Sequence, residues 1–488
     1  MERIMDNEIT YPVAQGTQTF FEKAATAGLE LRTGQVEMAM EICEAIMKTT
    51  PLAVEAEVGI GKSYAYLIPA VMKYRKDHRQ IVIATSTIAL QEQLVKDAQN
   101  VLKMTGSYID IILAKGMRNY ICHRRLRMRL KKKDHLEIYD NLNIALRVNG
   151  YDRAKMGFNI PDRIWETVNV QNYNEKCHEC PLNDTCGYYE LRKKLRSGGG
   201  IVICNQNMLV AHFQNVSLKK AKAYSISDQL FPVDATTILT SATISDKADG
   251  TPREKCSYFL NNISFPDDGA VSEPKHSPYN YDKNAIIYFS KRLPYPKLDN
   301  KEEYRKRSID ELVRLLNITQ GKSLILFTSK EDMDYVYRRL SNMHLPYKIL
   351  IQGKGSSQAH RLERFKTDVS SVILGTGTYW EGINVEGESL SQVIIYKLPF
   401  PVPDPIIDYK MSIVKDKIKE VAIPEMIIKL KQGAGRLIRC SEDKGIVSIL
   451  DPRASNMYRM NILNALSEKN SVETIDELAE FWKRISNE

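Results

Sequence analysis

Residues 56–63 read Ala-Glu-Val-Gly-Ile-Gly-Lys-Ser, between the apolar run "PLAVEA" (51–56) and the helix-compatible "KSYAYLIPAVMKY". This matches [AG]-x4-G-K-[ST] in the strand–loop–helix context that the pattern requires. Gly59 and Gly61 let backbone N–H groups wrap a phosphate at a helix N-terminus. Lys62 would then reach the β- and γ-phosphates of ATP, and the Ser63 hydroxyl would ligate Mg2+. A chance Gly-x-Gly-Lys turn is the competing reading, and the flanking strand and helix count against it. Upstream, "LRTGQVEMA" carries Arg32 and Gln35 before an amphipathic helix. A glutamine there could read an adenine edge, or simply open the helix.

The second half of the chain offers complementary groups. "KQGAGRLIRC" (431–440) spaces Gln432, Arg436 and Arg439 at i, i+4 and i+7, which is one face of a helix. Guanidiniums on one face suit bidentate phosphate contacts, and one could act as an arginine finger. A solvated charged helix is the alternative. "GTGTYWEGINVEG" (375–387) follows a strand and is dense in glycine, so it should approach something closely.

Cysteine supplies a third chemistry. Of eight cysteines, Cys122, Cys177, Cys180 and Cys186 have C-x54-C-x2-C-x5-C spacing. Four thiolates suit a [4Fe–4S] cluster or a structural zinc, and spacing does not separate the two. Cys43, Cys204, Cys256 and Cys440 lack partner spacing and read as ordinary thiols.

These residues need a scaffold. Two regions alternate short β-branched runs with helical patterns, which predicts parallel α/β domains. The first holds runs at 51–56, 80–85, 109–114, 200–204 and 236–241; the second holds runs at 284–290, 323–329, 347–352, 371–376, 392–398 and 445–451. Between the third and fourth runs lies a basic, cysteine-bearing insertion, 115–199, ending in "SGGG". Its "CHRRLRMRLKKKDH" (122–135) could track a phosphate backbone. The expected domains are 1–114, the insertion 115–199, a shortened remainder 200–255, and 256–488, with a polar boundary at 245–255 and a loop or linker at 265–284. The 488 residues carry net charge +9, which mildly favours a polyanionic partner. No apolar run reaches 18 residues and the N-terminus has no signal-like apolar stretch, so a cytoplasmic protein without a membrane span is expected.

Taken together, "LRTGQVEMA", "EAEVGIGKSYAYLIP", "ATSTIALQEQL", "KGMRNYIC", "CHEC…C", "ICNQNMLVAH", "LTSATIS", "LILFTSKE", "GTGTYWEGINVEG", "KLPFPVPDP" and "QGAGRLIR" resemble, in order, the DinG-like helicases, bacterial relatives of XPD in superfamily two. The resemblance spans nearly the whole chain. It implies two RecA-like parallel-sheet domains with an iron–sulfur insertion in the first, ATP bound with Mg2+, and 5′-to-3′ unwinding along single-stranded or forked DNA in repair or replication. Under it, Lys62 and Ser63 are the phosphate and magnesium residues, and Arg32 and Gln35 lie on the adenine side. Thr85, Thr87 and Gln91 lie in a motif touching DNA backbone. Ser241, Ala242 and Thr243 form a coupling motif. Glu381 and Gly382 lie in a loop linking nucleotide to DNA, and Gln432, Arg436 and Arg439 face the phosphates. It implies the cluster, not zinc, at Cys122, Cys177, Cys180 and Cys186. Glu57 and Asn384 depart from the glycine and aspartate of many relatives.

One family element is missing. A DEAH-type box, whose aspartate holds magnesium and whose glutamate polarises water, belongs between "ICNQNMLVAH" and "LTSATIS". Residues 213–235 instead read "FQNVSLKKAKAYSISDQLFPVDA", with Asp228 and Asp234 as the only acids. Asp310-Glu311 and Asp476-Glu477 read as helix openings. Box and helical arch are absent on this reading, so the central sheet of the first domain should lack a strand and hydrolysis is in question. A hydrolysis-impaired binding protein is therefore the alternative to an active helicase.

Overall fold

The computed structural model describes residues 12–486 except 29, 58, 86–87, 133–135, 159, 173–174, 221–229, 233–234, 248, 298, 354–357, 381–384, 386, 404 and 439–441. The first sheet contains β1 (Leu52–Glu55), β2 (Ile81–Thr85), β3 (Ile111–Leu113), β4 (Ile201–Asn205), β5 (Thr236–Ser241) and β6 (Ala270–Val271), in the order β3-β4-β2-β5-β1-β6. The second contains β7 (Ala285–Phe289), β8 (Ser323–Leu326), β9 (Ile349–Ile351), β10 (Val372–Gly375), β11 (Gln392–Ile395), β12 (Gly445–Ile449) and β13 (Ser471–Val472), in the order β13-β7-β12-β11-β8-β10-β9. All eleven expected runs form strands. The two-residue β6 and β13 are additional, too short to leave a pattern.

The chain forms two compact units. One comprises Met1–Ala53, Ser63–Thr240 and Ile263–Ala270; the other comprises Val54–Lys62, Ser241–Asn262 and Val271–Glu488. In the first, β2 pairs in parallel with β4 on one side and directly with β5 on the other, Ile81 opposite both Ile201 and Thr236. No strand therefore sits between β2 and β5. The insertion packs its own apolar core from Ile121, Leu126, Leu142, Ile160, Ile164 and Trp165. The Lys115 ammonium closes its base, paired with Asp152 at 2.7 Å and Glu92 at 2.9 Å.

In the second unit the sheet is buried on both faces, as parallel strands usually are. Alternation along β7 sends Ala285, Ile287 and Phe289 to one core and Ile286 and Tyr288 to the other. Trp380 lies wholly buried in the first of these and donates its indole N–H to the Phe327 carbonyl at 2.9 Å. A Cβ added at Gly433 would meet the Trp380 ring at 2.9 Å, so the helix Ile423–Ala434 needs glycine to lie against it. The close approach expected of the "GTGTYWEG" loop is thus made by its tryptophan.

Three local expectations change. Asp310-Glu311 lies within the helix Lys301–Ile318 instead of opening it, and Glu311 is buried, accepting from the Tyr288 hydroxyl at 2.8 Å. Asp476-Glu477 does occupy a first turn, that of Ile475–Ser486, with Thr474 and Glu477 bonded to one another. The 265–284 stretch is more than a linker: it contributes β6 and a parallel bridge between Lys275 and Ala56. Likewise the 245–255 stretch holds a short helix, Pro252–Lys255, opened by a reciprocal Thr251–Glu254 capping box.

Candidate functional site

The phosphate loop follows from its glycines. Gly59 and Gly61 have φ of +89° and +80°, values glycine adopts without penalty, and the helix Lys62–Asp77 starts at once after them. The Lys62 ammonium lies inside the loop curve, donating to the carbonyls of Ala56 at 2.7 Å and Glu57 at 3.0 Å. The Ser63 hydroxyl bonds Tyr66, one helical turn on. A glycine-lined turn with a lysine at its centre, opening a helix, can cradle a phosphate and favours negative charge there.

The loop is held from one side. The Glu57 N–H donates to Lys275 O at 2.9 Å, and Lys275 N–H donates back to Glu55 O at 2.9 Å. The Glu57 carboxylate accepts from Ser277 N–H at 2.9 Å and lies 3.3 Å from His276 Nδ1. A Cβ at Gly59 would fall 2.3 Å from the Tyr279 ring. Glu57 is thus a tether. Neither tie had a signal in the sequence, because the partners of Glu57, like Tyr279 itself, come from 265–284.

The other expected residues divide. Gln35 is buried in the first turn of the helix Thr33–Lys48, and Arg32 precedes that helix, paired with Glu30 at 2.8 Å. Gln432 lies on the helix Ile423–Ala434, but Arg436 does not: the helix ends at Ala434. The expected single helical face is therefore absent. Glycines at 433 and 435 weaken the helix, and Arg436 Nε caps it, donating to Gln432 O at 3.1 Å. Arg439, Glu381, Gly382, Asn384 and Thr87 lie outside the described residues, as do Asp228 and Asp234. Gln91 is fully buried and donates to the carbonyls of Ala114 at 2.9 Å and Ile203 at 3.4 Å, so it braces β3 and β4 instead of facing a DNA backbone.

The four cysteines are free and partly buried. Burial pushes the Cys186 thiol up, with backbone N–H groups of Tyr189 and Tyr188 opposing and Cys122 and Cys177 adding to the effect. Cys180 closes a turn onto Cys177, its N–H 3.4 Å from the Cys177 carbonyl. Cys122 and Cys186 each immediately precede a helix, His123–Leu130 and Gly187–Arg196, and Nδ1 of His123 meets the Thr185 hydroxyl at 3.0 Å. Thiolates gain from such helix starts. Among the described residues, no three His, Cys, Asp or Glu side chains gather as a single-ion site. In the same module Arg125 is occupied by Thr167 O, Glu166 O and Gln171, whereas Arg124 and Arg127 are exposed.

Known proteins share this plan. Residues 37–133 match the family model "DEAD/DEAH box helicase", and residues 312–469 match "Helicase C-terminal domain". The ATP-dependent DNA helicase YoaA of Escherichia coli (strain K12) is 23% identical, covering 88% of this chain and 92% of that protein. The ATP-dependent helicase DinG of Mycobacterium tuberculosis (strain ATCC 25618 / H37Rv) is 23% identical, covering 90% and 93%. The alignment with Escherichia coli YoaA spans 601 positions against 488 residues here, so it crosses stretches where that helicase has residues and this chain has none. The solved structure "XPD_Helicase" has the same fold, at TM-score 0.55 and 14% identity over 91% of this chain and 100% of its own. With a DEAD/DEAH-box helicase region followed by a helicase C-terminal domain, the chain is a homologue of the DinG/YoaA-type ATP-dependent helicases.

Proposed function

We propose that the chain binds ATP·Mg2+ at residues 56–63 and uses it to move 5′-to-3′ on single-stranded DNA, opening forked duplexes in repair or replication. The carrying observation is the loop geometry: positive φ at Gly59 and Gly61, Lys62 at the centre and a helix beginning there. In this reading Lys62 neutralises phosphate charge, Ser63 takes magnesium, Arg32 and Gln35 lie on the adenine side, and Gln432, Arg436 and Arg439 answer the phosphates, with Glu381 in the loop joining nucleotide to DNA. The domains run 1–114, 115–199, 200–255 and 256–488. Cys122, Cys177, Cys180 and Cys186 hold a [4Fe–4S] cluster: four half-buried thiols, two of them at helix starts, suit such a group, whose role is to brace the basic module. Unwinding of a 5′-tailed but not a 3′-tailed duplex supports this reading, and the opposite preference refutes its polarity.

A second reading is favoured by one feature. β2 pairs directly with β5, and β1 is the only described strand of that sheet to end on a carboxylate, Glu55. Glu55 is already bonded to Lys431, Ile244 and Ser245. A chain with a phosphate loop and no free strand-end acid holds ATP and DNA but turns over slowly. Nucleotide binding without DNA-stimulated turnover selects it.

A further inference from the structure

Glu55 ends β1 and leads into the phosphate loop, and its side chain is only 3% exposed. Oε2 accepts the backbone N–H of Ile244 at 3.0 Å and that of Ser245 in a shorter contact. Oε1 accepts from Lys431 Nζ at 2.6 Å, and the same ammonium donates to the Ser245 hydroxyl at 2.9 Å. Three segments thus meet at one carboxylate: the strand entering the phosphate loop, the stretch after Ser241-Ala242-Thr243, and the helix Ile423–Ala434. Each carries an expected functional residue nearby: Lys62 of the phosphate loop, Thr243 of the coupling motif and Gln432 of the phosphate-facing set respectively. The last two segments are tied a second time, since Glu425 at the start of that helix accepts from the Tyr258 hydroxyl and from Lys410 at 2.7 Å.

A buried charge pair with its lone pairs filled tolerates little rearrangement, because loss of one partner leaves the other charged and poorly solvated. The loop itself holds Lys62, whose ammonium donates to the carbonyls of Ala56 and Glu57. We propose that Glu55 and Lys431 are positioning residues for the nucleotide site, holding the phosphate loop, the Ser241–Ser245 stretch and the Gln432–Arg436 turn at a fixed spacing. This rests on the reading of residues 56–63 as the ATP loop.

The test compares Lys431→Met, Lys431→Arg and the double variant Glu55→Gln/Lys431→Met, using a fluorescent ATP analogue and amide hydrogen exchange at residues 55–61. Lys431→Met strands the Glu55 charge and should weaken the analogue by about tenfold or more, with Lys431→Arg within about threefold of wild type. The double variant should recover much of the loss, because the stranded charge is gone. Exchange at 55–61 should quicken in Lys431→Met without any nucleotide. Unchanged exchange and affinity in Lys431→Met, or a double variant no better than the single one, overturns the proposal. If Lys431→Met does not fold, the other two decide: Lys431→Arg must keep affinity and slow exchange near wild type while the double variant, which lacks the pair, falls measurably below it, and loss in Lys431→Arg or wild-type behaviour in the double variant overturns it. A wild-type protein that ignores the analogue refutes the ATP reading instead, while exchange still judges the pair.

Discussion

A methyl group on Gly59 would collide with the Tyr279 ring and force a side chain into left-handed backbone. Gly59→Ala should therefore abolish binding of a fluorescent ATP analogue while leaving circular dichroism unchanged, which separates a local effect from unfolding. Glu468 makes a different residue-scale prediction. Burial pushes its carboxyl up to about 7 from 4.5, with the Glu57 charge adding and its own backbone N–H and Lys469 opposing. The fold therefore prefers the neutral acid, and its contribution is complete below pH 4.5 and lost as the pH rises through 7. Glu468→Gln should match wild type in unfolding free energy at pH 4 and exceed it at pH 8, by on the order of 2–3 kcal/mol in denaturant unfolding. A variant no more stable at pH 8 than wild type would contradict the burial argument.

At the scale of elements, the helix Ile423–Ala434 depends on its glycine against Trp380. Gly433→Ala should cost about 1–3 kcal/mol in denaturant unfolding, since tryptophan and Leu326 at 2.9–3.0 Å leave no room. The insertion carries its own apolar core, so Cys186→Ser should lose iron yet keep its helices, read by iron analysis and circular dichroism. The strands were legible because each is a short β-branched run between turn residues, the pattern of a strand buried on both faces. The phosphate loop was legible because its chemistry lies within eight consecutive residues. The arginine face was misread because spacing alone ignored Gly433 and Gly435. Glu55, Lys431, Glu57 and Tyr279 were invisible as a group, because their partners lie far away in sequence. One signal was present: a glutamate inside the otherwise apolar "PLAVEA" needs a buried partner.

The whole molecule joins a helicase sequence plan to a first sheet in which β2 lies directly beside β5. The basic module supplies exposed cations, Arg124 and Arg127, for a polyanion. Replacing each with alanine should weaken single-stranded DNA binding whatever its sequence and reduce the log–log salt slope by about 1 per site, measured by fluorescence anisotropy. The central claim is that the loop at residues 56–63 is the ATP engine of this helicase. The most direct measurement is steady-state ATP hydrolysis with and without single-stranded DNA, for wild type and Lys62→Ala. DNA-stimulated turnover that disappears in Lys62→Ala is the predicted result. Wild-type turnover that DNA does not raise, or that equals the Lys62→Ala background, would contradict it.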